Sequence, residues 1–201
     1  LIDKGGPLMW PLLACSVVSL AVILERAVFW IRLTLQHDRT LIDRIFTLTE
    51  NGQFEDAVAV AQGTPCITAR ILIAGLTHRN YGLTNCMEAA ATAEIEHMRR
   101  GLTILDTIIT MAPLLGILGT VSGIIVSFDL LGSMGIEDPK LVTSGIAQAL
   151  ITTAAGLSIA IVTLLPYNAC TRKTEMFARY VEKLCTHFEV TVQKGLEKQC
   201  G

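Results

Sequence analysis

Three long uncharged runs decide what this chain can fold into. Residues 7–24 carry no charge, and their helix can continue to about Trp30. Residues 107–131 are uncharged until Asp129, and residues 142–167 carry no charge at all. At 1.5 Å rise per residue, about 20 apolar residues make a helix that crosses the roughly 30 Å hydrocarbon core of a bilayer. The chain as a whole agrees, with 51% hydrophobic and 17% charged residues, where soluble domains carry about 25% charged. The expected fold is an all-α membrane protein with three transmembrane helices and long cytoplasmic helical extensions. Its expected segments are 1–30 (N-terminal region and first span), 31–106 (loop), 107–131 (second span), 132–141 (turn), 142–167 (third span) and 168–201 (tail). A chain opening on Leu1 is expected to lack its true start. The first run is too long for a signal-peptide core, and no small-residue cleavage site precedes Glu25-Arg26.

Orientation follows from the basic residues, which favour the cytoplasmic side. Arg32, Arg39, Arg44, Arg70, Arg79, Arg99 and Arg100 lie in the loop, and Arg172, Lys173, Arg179, Lys183, Lys194 and Lys198 in the tail. The short turn has only Lys140 and the N-terminus only Lys4. Loop and tail are therefore expected in the cytoplasm and the N-terminus in the periplasm. Trp10 and Trp30, twenty residues apart, read as aromatic anchors at the two faces of the first span.

The polar parts read as helix throughout. Two short amphipathic stretches in 38–62 break at Asn51-Gly52, and a segment opened by Pro65 ends near Tyr81-Gly82. Asn85 and Glu88 match a capping box. Beyond them only Gly101 interrupts helical spacing before the second span, so one helix is expected to run through. In the tail, Met176, Phe177, Tyr180, Val181, Leu184 and Phe188 share a face.

On a helical wheel, Ala112, Gly116, Gly119, Thr120, Gly123 and Ser127 occupy one arc of the second span, with aliphatic residues opposite. Gly145, Gln148, Ala149, Thr152, Thr153, Ala155, Gly156, Ala160 and Thr163 occupy a broad arc of the third. Small residues let helices approach closely in lipid, where no hydrophobic drive acts between them. Gly116, Gly119, Gly123, Gly145 and Gly156 thus read as helix-packing positions. The polar side chains leave two readings open, a packing surface or a water-lined or partner-facing one.

Other chemistries find little support. The net charge of −2 and the lack of a basic run argue against nucleic acid. The six cysteines form no CxxC pair and do not cluster with the histidines, so no metal or other cofactor is expected. The glycine-rich stretch 116–123 lacks the Lys-Ser/Thr of a phosphate loop. Ser122 and Ser158 have no base at helix-neighbour spacing, and His97 among Glu94, Glu96 and Arg99 reads as a solvated face. The chain does not read as an enzyme.

Met111-Ala-Pro-Leu-Leu-Gly-Ile-Leu-Gly-Thr-Val-Ser-Gly123, Gly145-Ile-Ala-Gln-Ala-Leu-Ile-Thr-Thr-Ala-Ala-Gly156 and Tyr167-Asn168 resemble the signatures of the ExbB/TolQ/MotA proton-channel family. Three spans and one main loop favour its ExbB/TolQ branch, ExbB-like first. The resemblance implies a homopentameric ring in the bacterial inner membrane around single-span ExbD/TolR-like helices. Ion flow would then drive a TonB/TolA-like protein in outer-membrane transport or Tol-Pal work. It assigns the pore threonines to Thr120 and Thr153, with Thr152 adjacent and Gln148 where relatives often carry glutamate. No proton-binding role transfers to Gln148. Asp129 is an ionisable candidate by its depth alone. A non-conducting scaffold and a sodium-driven relative are the alternatives.

Overall fold

The computed structural model describes residues 6–36, 38–134 and 139–200, without side-chain detail at 80, 81, 130, 133–142 and 200. The described residues form seven helices: α1 (Met9–Leu35), α2 (Arg39–Glu50), α3 (Phe54–Ala61), α4 (Ile67–Thr77), α5 (Arg79–Arg99), α6 (Leu102–Met134) and α7 (Pro139–Cys200). Three of them contain stretches long and apolar enough to cross a membrane. The chain is a multi-pass membrane protein. Lys4, His37, residues 135–138 and the side chains of Lys140 and Cys200 lie outside what is described, and of the turn expected at 132–141, residues 132–134 end α6 and 139–141 open α7.

Contacts divide the chain into two compact units, residues 1–26 with 101–170 and residues 27–100 with 171–201. The first holds the apolar helices and will be called the membrane unit. Its buried hydrophobic cluster is small, with Leu12, Ile108 and Ala112 at its centre. Large aliphatic side chains such as Leu114, Ile125, Leu150 and Ile161 face outward, as lipid or neighbouring subunits would require.

The second, polar unit has an ordinary hydrophobic core. Ile45, Phe54, Leu72, Leu76, Met87 and Phe188 are all at or below 2% exposure. Asp38 caps α2, its carboxylate accepting from Leu41 N–H at 3.1 Å. The break expected at Asn51-Gly52 is present, with Gly52 at φ +78°, a conformation that favours glycine. Two side-chain bonds tie distant segments: Thr84 Oγ1 donates to Glu189 Oε1 at 2.9 Å, and Gln199 Nε2 to Gly52 O at 2.6 Å.

Three expectations need correction. The helix does not run unbroken into the second span: α5 ends at Arg99 and α6 starts at Leu102, because Gly101 takes φ +82°. Asn85 does not start a helix. It lies inside α5, three residues past a non-helical Gly82 (φ +122°) that makes the actual break. Trp30 is not a lipid-facing anchor, being 9% exposed in the polar unit with the Lys173 ammonium 5.5 Å from its ring centroid. Trp10, by contrast, is 67% exposed.

Candidate functional site

The small-residue arcs of α6 and α7 meet in one antiparallel seam within the membrane unit. Gly156 lies against the Ala112 carbonyl, Gly116 against Thr153, Gly119 against Thr152, Gly123 against Ala149 and Gly145 against Ser127. A Cβ built on Gly116 would stand 3.0 Å from Thr153 Cα, and one on Gly123 3.0 Å from Ala149 Cβ. On Gly156 it would collide with the main-chain oxygen of Ala112. Backbone meets backbone here, which is what glycine permits and any larger residue prevents.

That proximity fixes the hydroxyls. Thr153 Oγ1 donates to Gly116 O across the seam at 2.9 Å. Thr152 is 1% exposed, donates to Gln148 O at 2.9 Å and fills the space above Gly119. It sits between the helices rather than on an open face. Thr120 is partly exposed and donates to Ile117 O at 2.6 Å. Ser127 donates to Gly123 O at 2.8 Å and Thr163 to Ile159 O at 2.7 Å. The Gln148 amide packs against Gly6, just ahead of α1, so its side chain reaches the N-terminal segment. Asp129 is exposed near the end of α6.

Neither helix supplies an acid, base or metal ligand along the seam. No Asp, Glu, His, Lys or Arg occurs in 107–128 or in 142–167. Among the described residues, no group of three or more His, Cys, Asp or Glu side chains could hold a metal ion. Chemically the seam offers hydroxyl and carbonyl oxygens in apolar surroundings.

One charged feature escaped the sequence reading. Arg26, at the end of the apolar part of α1, is only 2% exposed and bonds Glu25 through Nε at 3.0 Å and through its terminal nitrogen at 2.5 Å. Both residues lie beside Gly101, where a Cβ would come within 3.2 Å of Val22 and 3.8 Å of Arg26 Nε. The signal was available: adjacent opposite charges end an apolar run, and a buried guanidinium needs a paired partner.

In the polar unit a cavity of about 670 Å³ lies between α2 and the end of α7. Phe46 stacks on His187 in its wall at 5.2 Å, and Lys194 approaches Glu50 at 3.8 Å. Burial raises the Tyr180 phenol there, while Arg39 partly offsets the shift. No residue expected to be functional falls in this cavity.

Comparison with known proteins takes in the seam and much of the rest of the chain. A family model described as the MotA/TolQ/ExbB proton channel family matches residues 65–183, which include all of α6 and the 145–156 stretch. Biopolymer transport protein ExbB-like 1 from Synechocystis sp. is 40% identical over 172 residues, covering 82% of this chain and 67% of its own length. ExbB-like 3 from the same organism is 36% identical over 169 residues, 82% of this chain and 80% of its own. The Tol-Pal system protein TolQ of Pseudomonas aeruginosa is 37% identical over 95 residues, 47% of this chain and 41% of the relative.

Proposed function

Since the chain belongs to the MotA/TolQ/ExbB proton channel family, we propose that it is the ring-forming subunit of an ExbB-like proton-driven motor. One observation carries this reading. The α6–α7 seam gathers hydroxyls in the apolar unit, yet 107–128 and 142–167 hold no side chain that titrates near neutral pH. A proton path through a membrane normally uses an ionisable group. The missing acid belongs on a partner, a single-span ExbD/TolR-like helix standing inside a pentamer of this chain. Thr120 and Thr153 face that acid in the assembly, while Thr152 supports the wall from within the seam.

The placement of Arg and Lys supports a periplasmic N-terminus with the loop and tail on the cytoplasmic side of the inner membrane. Proton flow past the partner's carboxyl turns or shifts the partner helices, and a TonB/TolA-like protein carries that movement to the outer membrane. Asp129 has no step in this scheme. The identity to ExbB-like relatives over most of the chain favours outer-membrane uptake over Tol-Pal work.

Proton flux into proteoliposomes under an imposed potential tests the reading. The chain alone is expected to conduct nothing, and flux appears with the acid-bearing partner. Flux from the chain alone that survives Asp129→Asn would refute it. Thr153→Val is expected to lower partner-dependent flux roughly five- to tenfold, about the worth of one hydrogen bond. In native mass spectrometry a stable monomer in both mild detergent and lipid would exclude the ring.

A further inference from the structure

The start of α4 is buried and uncapped. A helix leaves its first N–H groups without intrahelical acceptors, and a side chain or solvent ordinarily serves them. Here Thr64 Oγ1 accepts from Cys66 N–H at 3.2 Å, and Cys66, at the N-cap, makes no side-chain bond into the first turn. The next main-chain bond of that turn runs from Arg70 N–H to Cys66 O at 3.1 Å. The N–H groups of Ile67 and Thr68 therefore meet no acceptor among the described residues, although Cys66 and Thr68 are each only 2% exposed.

A second idle donor stands nearby. Trp30, in the last turns of α1, is 9% exposed, and its indole N–H is buried with no hydrogen-bond partner among the described residues. Buried indoles usually find one. Trp30, Gln36, Ile67, Thr68 and Phe177 are in the wall of one cavity of about 270 Å³ in the polar unit. None of the described residues lining it is acidic, and the Lys173 ammonium lies 5.5 Å from the Trp30 ring centroid. The helix start adds partial positive charge of its own. Donors without acceptors, and positive charge without a carboxylate, suit a compact anion that accepts several hydrogen bonds at once.

We infer that this α1–α4 cavity is an oxyanion site that takes a phosphate group, held by the Trp30 indole N–H and the main-chain N–H groups of Ile67 and Thr68. A carboxylate has two oxygens in one plane. A phosphate presents oxygens in several directions and so matches donors that arrive from separate helices. Two sources supply such a group. The first uncharged run ends at Glu25-Arg26, and Trp30 follows four residues on, about 6 Å along the helix. The headgroup layer outside the hydrocarbon is about 5–8 Å thick on each side. A phospholipid headgroup and free phosphate both reach this depth. Bound there, the phosphate bridges the end of α1 to the start of α4. The site is separate from the α6–α7 seam and needs no ion conduction.

The test is the 15N–1H spectrum of the full chain, labelled at its tryptophan indoles, in maltoside micelles stripped of phospholipid. Two indole signals arise, from Trp10 and Trp30, and Trp30→Phe assigns them. The Trp30 signal is expected to move downfield and saturate on addition of inorganic phosphate or of phosphatidylglycerol. Trp10, 67% exposed, is the control for inorganic phosphate, and a diacylglycerol glycoside, which has no phosphate, is the control for lipid. Response to inorganic phosphate identifies a soluble source, and response to the phospholipid alone identifies the headgroup. Movement with neither would overturn the inference, because water or packing would then account for the idle donors. An equal response to the glycoside would overturn it as well.

Two variants delete donors singly. Trp30→Phe keeps an aromatic ring and removes the indole N–H. Ile67→Pro removes a main-chain N–H at the first helical position, where proline is tolerated, and Cys66 at ψ 110° already has the extended backbone that must precede it. Equilibrium binding of whichever phosphate source responds is expected to weaken roughly tenfold in each, the worth of a hydrogen bond to a charged group. Unchanged affinity in both would overturn the assignment. Ile67→Val keeps the N–H and is expected to bind as the wild type does. An equal loss there would trace the effect to packing and overturn the role of the α4 donors.

Discussion

The two units are held together by opposite means. The polar unit buries large side chains such as Phe188, Phe54, Met87 and Leu72 in a continuous core. The membrane unit has few such residues inside and brings main chains together at Gly116, Gly123, Gly145 and Gly156, with the Thr152 side chain seated on Gly119. Water drives the first arrangement, because apolar area removed from it is worth roughly 25 cal/mol per Å². Lipid supplies no such drive, so close packing and hydrogen bonds must hold the second. One unit should therefore be sensitive to atoms removed and the other to atoms added.

Phe188→Ala gives the largest expected effect. Its ring is 0% exposed and lies 5.0 Å from Phe46, so truncation leaves a cavity as well as losing transfer energy. A loss of about 3–5 kcal/mol is expected. Hydrogen exchange should show it in residues 27–100 and 171–201, while 101–170 keep their protection. Equal loosening of both units would break the comparison, for it would mean that they share one cooperative core.

The reverse experiment adds atoms to the seam. Gly156→Val places a branched side chain against the Ala112 carbonyl, where no side chain can swing aside. Overpacking of this kind costs about 1–3 kcal/mol, and more when backbone must move. Thr153 should lose its bond to Gly116 O as the helices separate, so partner-dependent flux should fall with stability. Gly132→Val serves as control, since nothing lies within 4 Å of its Cβ position. If both variants behave alike, glycine matters here for helix propensity and not for contact.

The same contrast explains what could be read from sequence. The three apolar runs and the small-residue arcs were legible because hydropathy and a 3.6-residue period are local properties. They located the five seam glycines without saying what each would touch. Gly101 and Gly82 were harder, since a lone glycine inside a helical pattern is compatible with either continuation or a break. Trp30 misled because an interfacial tryptophan and one packed beneath a lysine have the same sequence spacing. The burial of Thr152 beside a partly exposed Thr153 was also illegible: adjacent positions differ by 100° on the helix, and only the partner helix decides which one turns inward. Arg26 shows the same limit, for a pair of opposite charges does not reveal which member is buried.

The smallest expected effect concerns pH and separates the units by chemistry instead of packing. Burial pushes the Cys185 thiol above its ordinary value of 9.0, and the charge of Glu88 adds to the rise. The folded polar unit therefore keeps this proton at a pH where the unfolded chain has begun to release it. The stability that results is complete below the unfolded value and declines as pH rises through the folded one. Tyr180 acts in the same sense further up the scale, raised from 10.0 by burial against the opposing pull of Arg39. The seam hydroxyls of the membrane unit have no titration in this range and should add no slope. Thiol alkylation as a function of pH is the direct measurement. Cys185, at 9% exposure, should react slowly and with a midpoint above 9.0. Cys185→Ala should flatten part of the alkaline decline in the polar unit while leaving seam protection unchanged. A Cys185 midpoint below 9.0 would show that a nearby positive charge or water outweighs burial, and the polar unit's core would then be wetter than its packing implies.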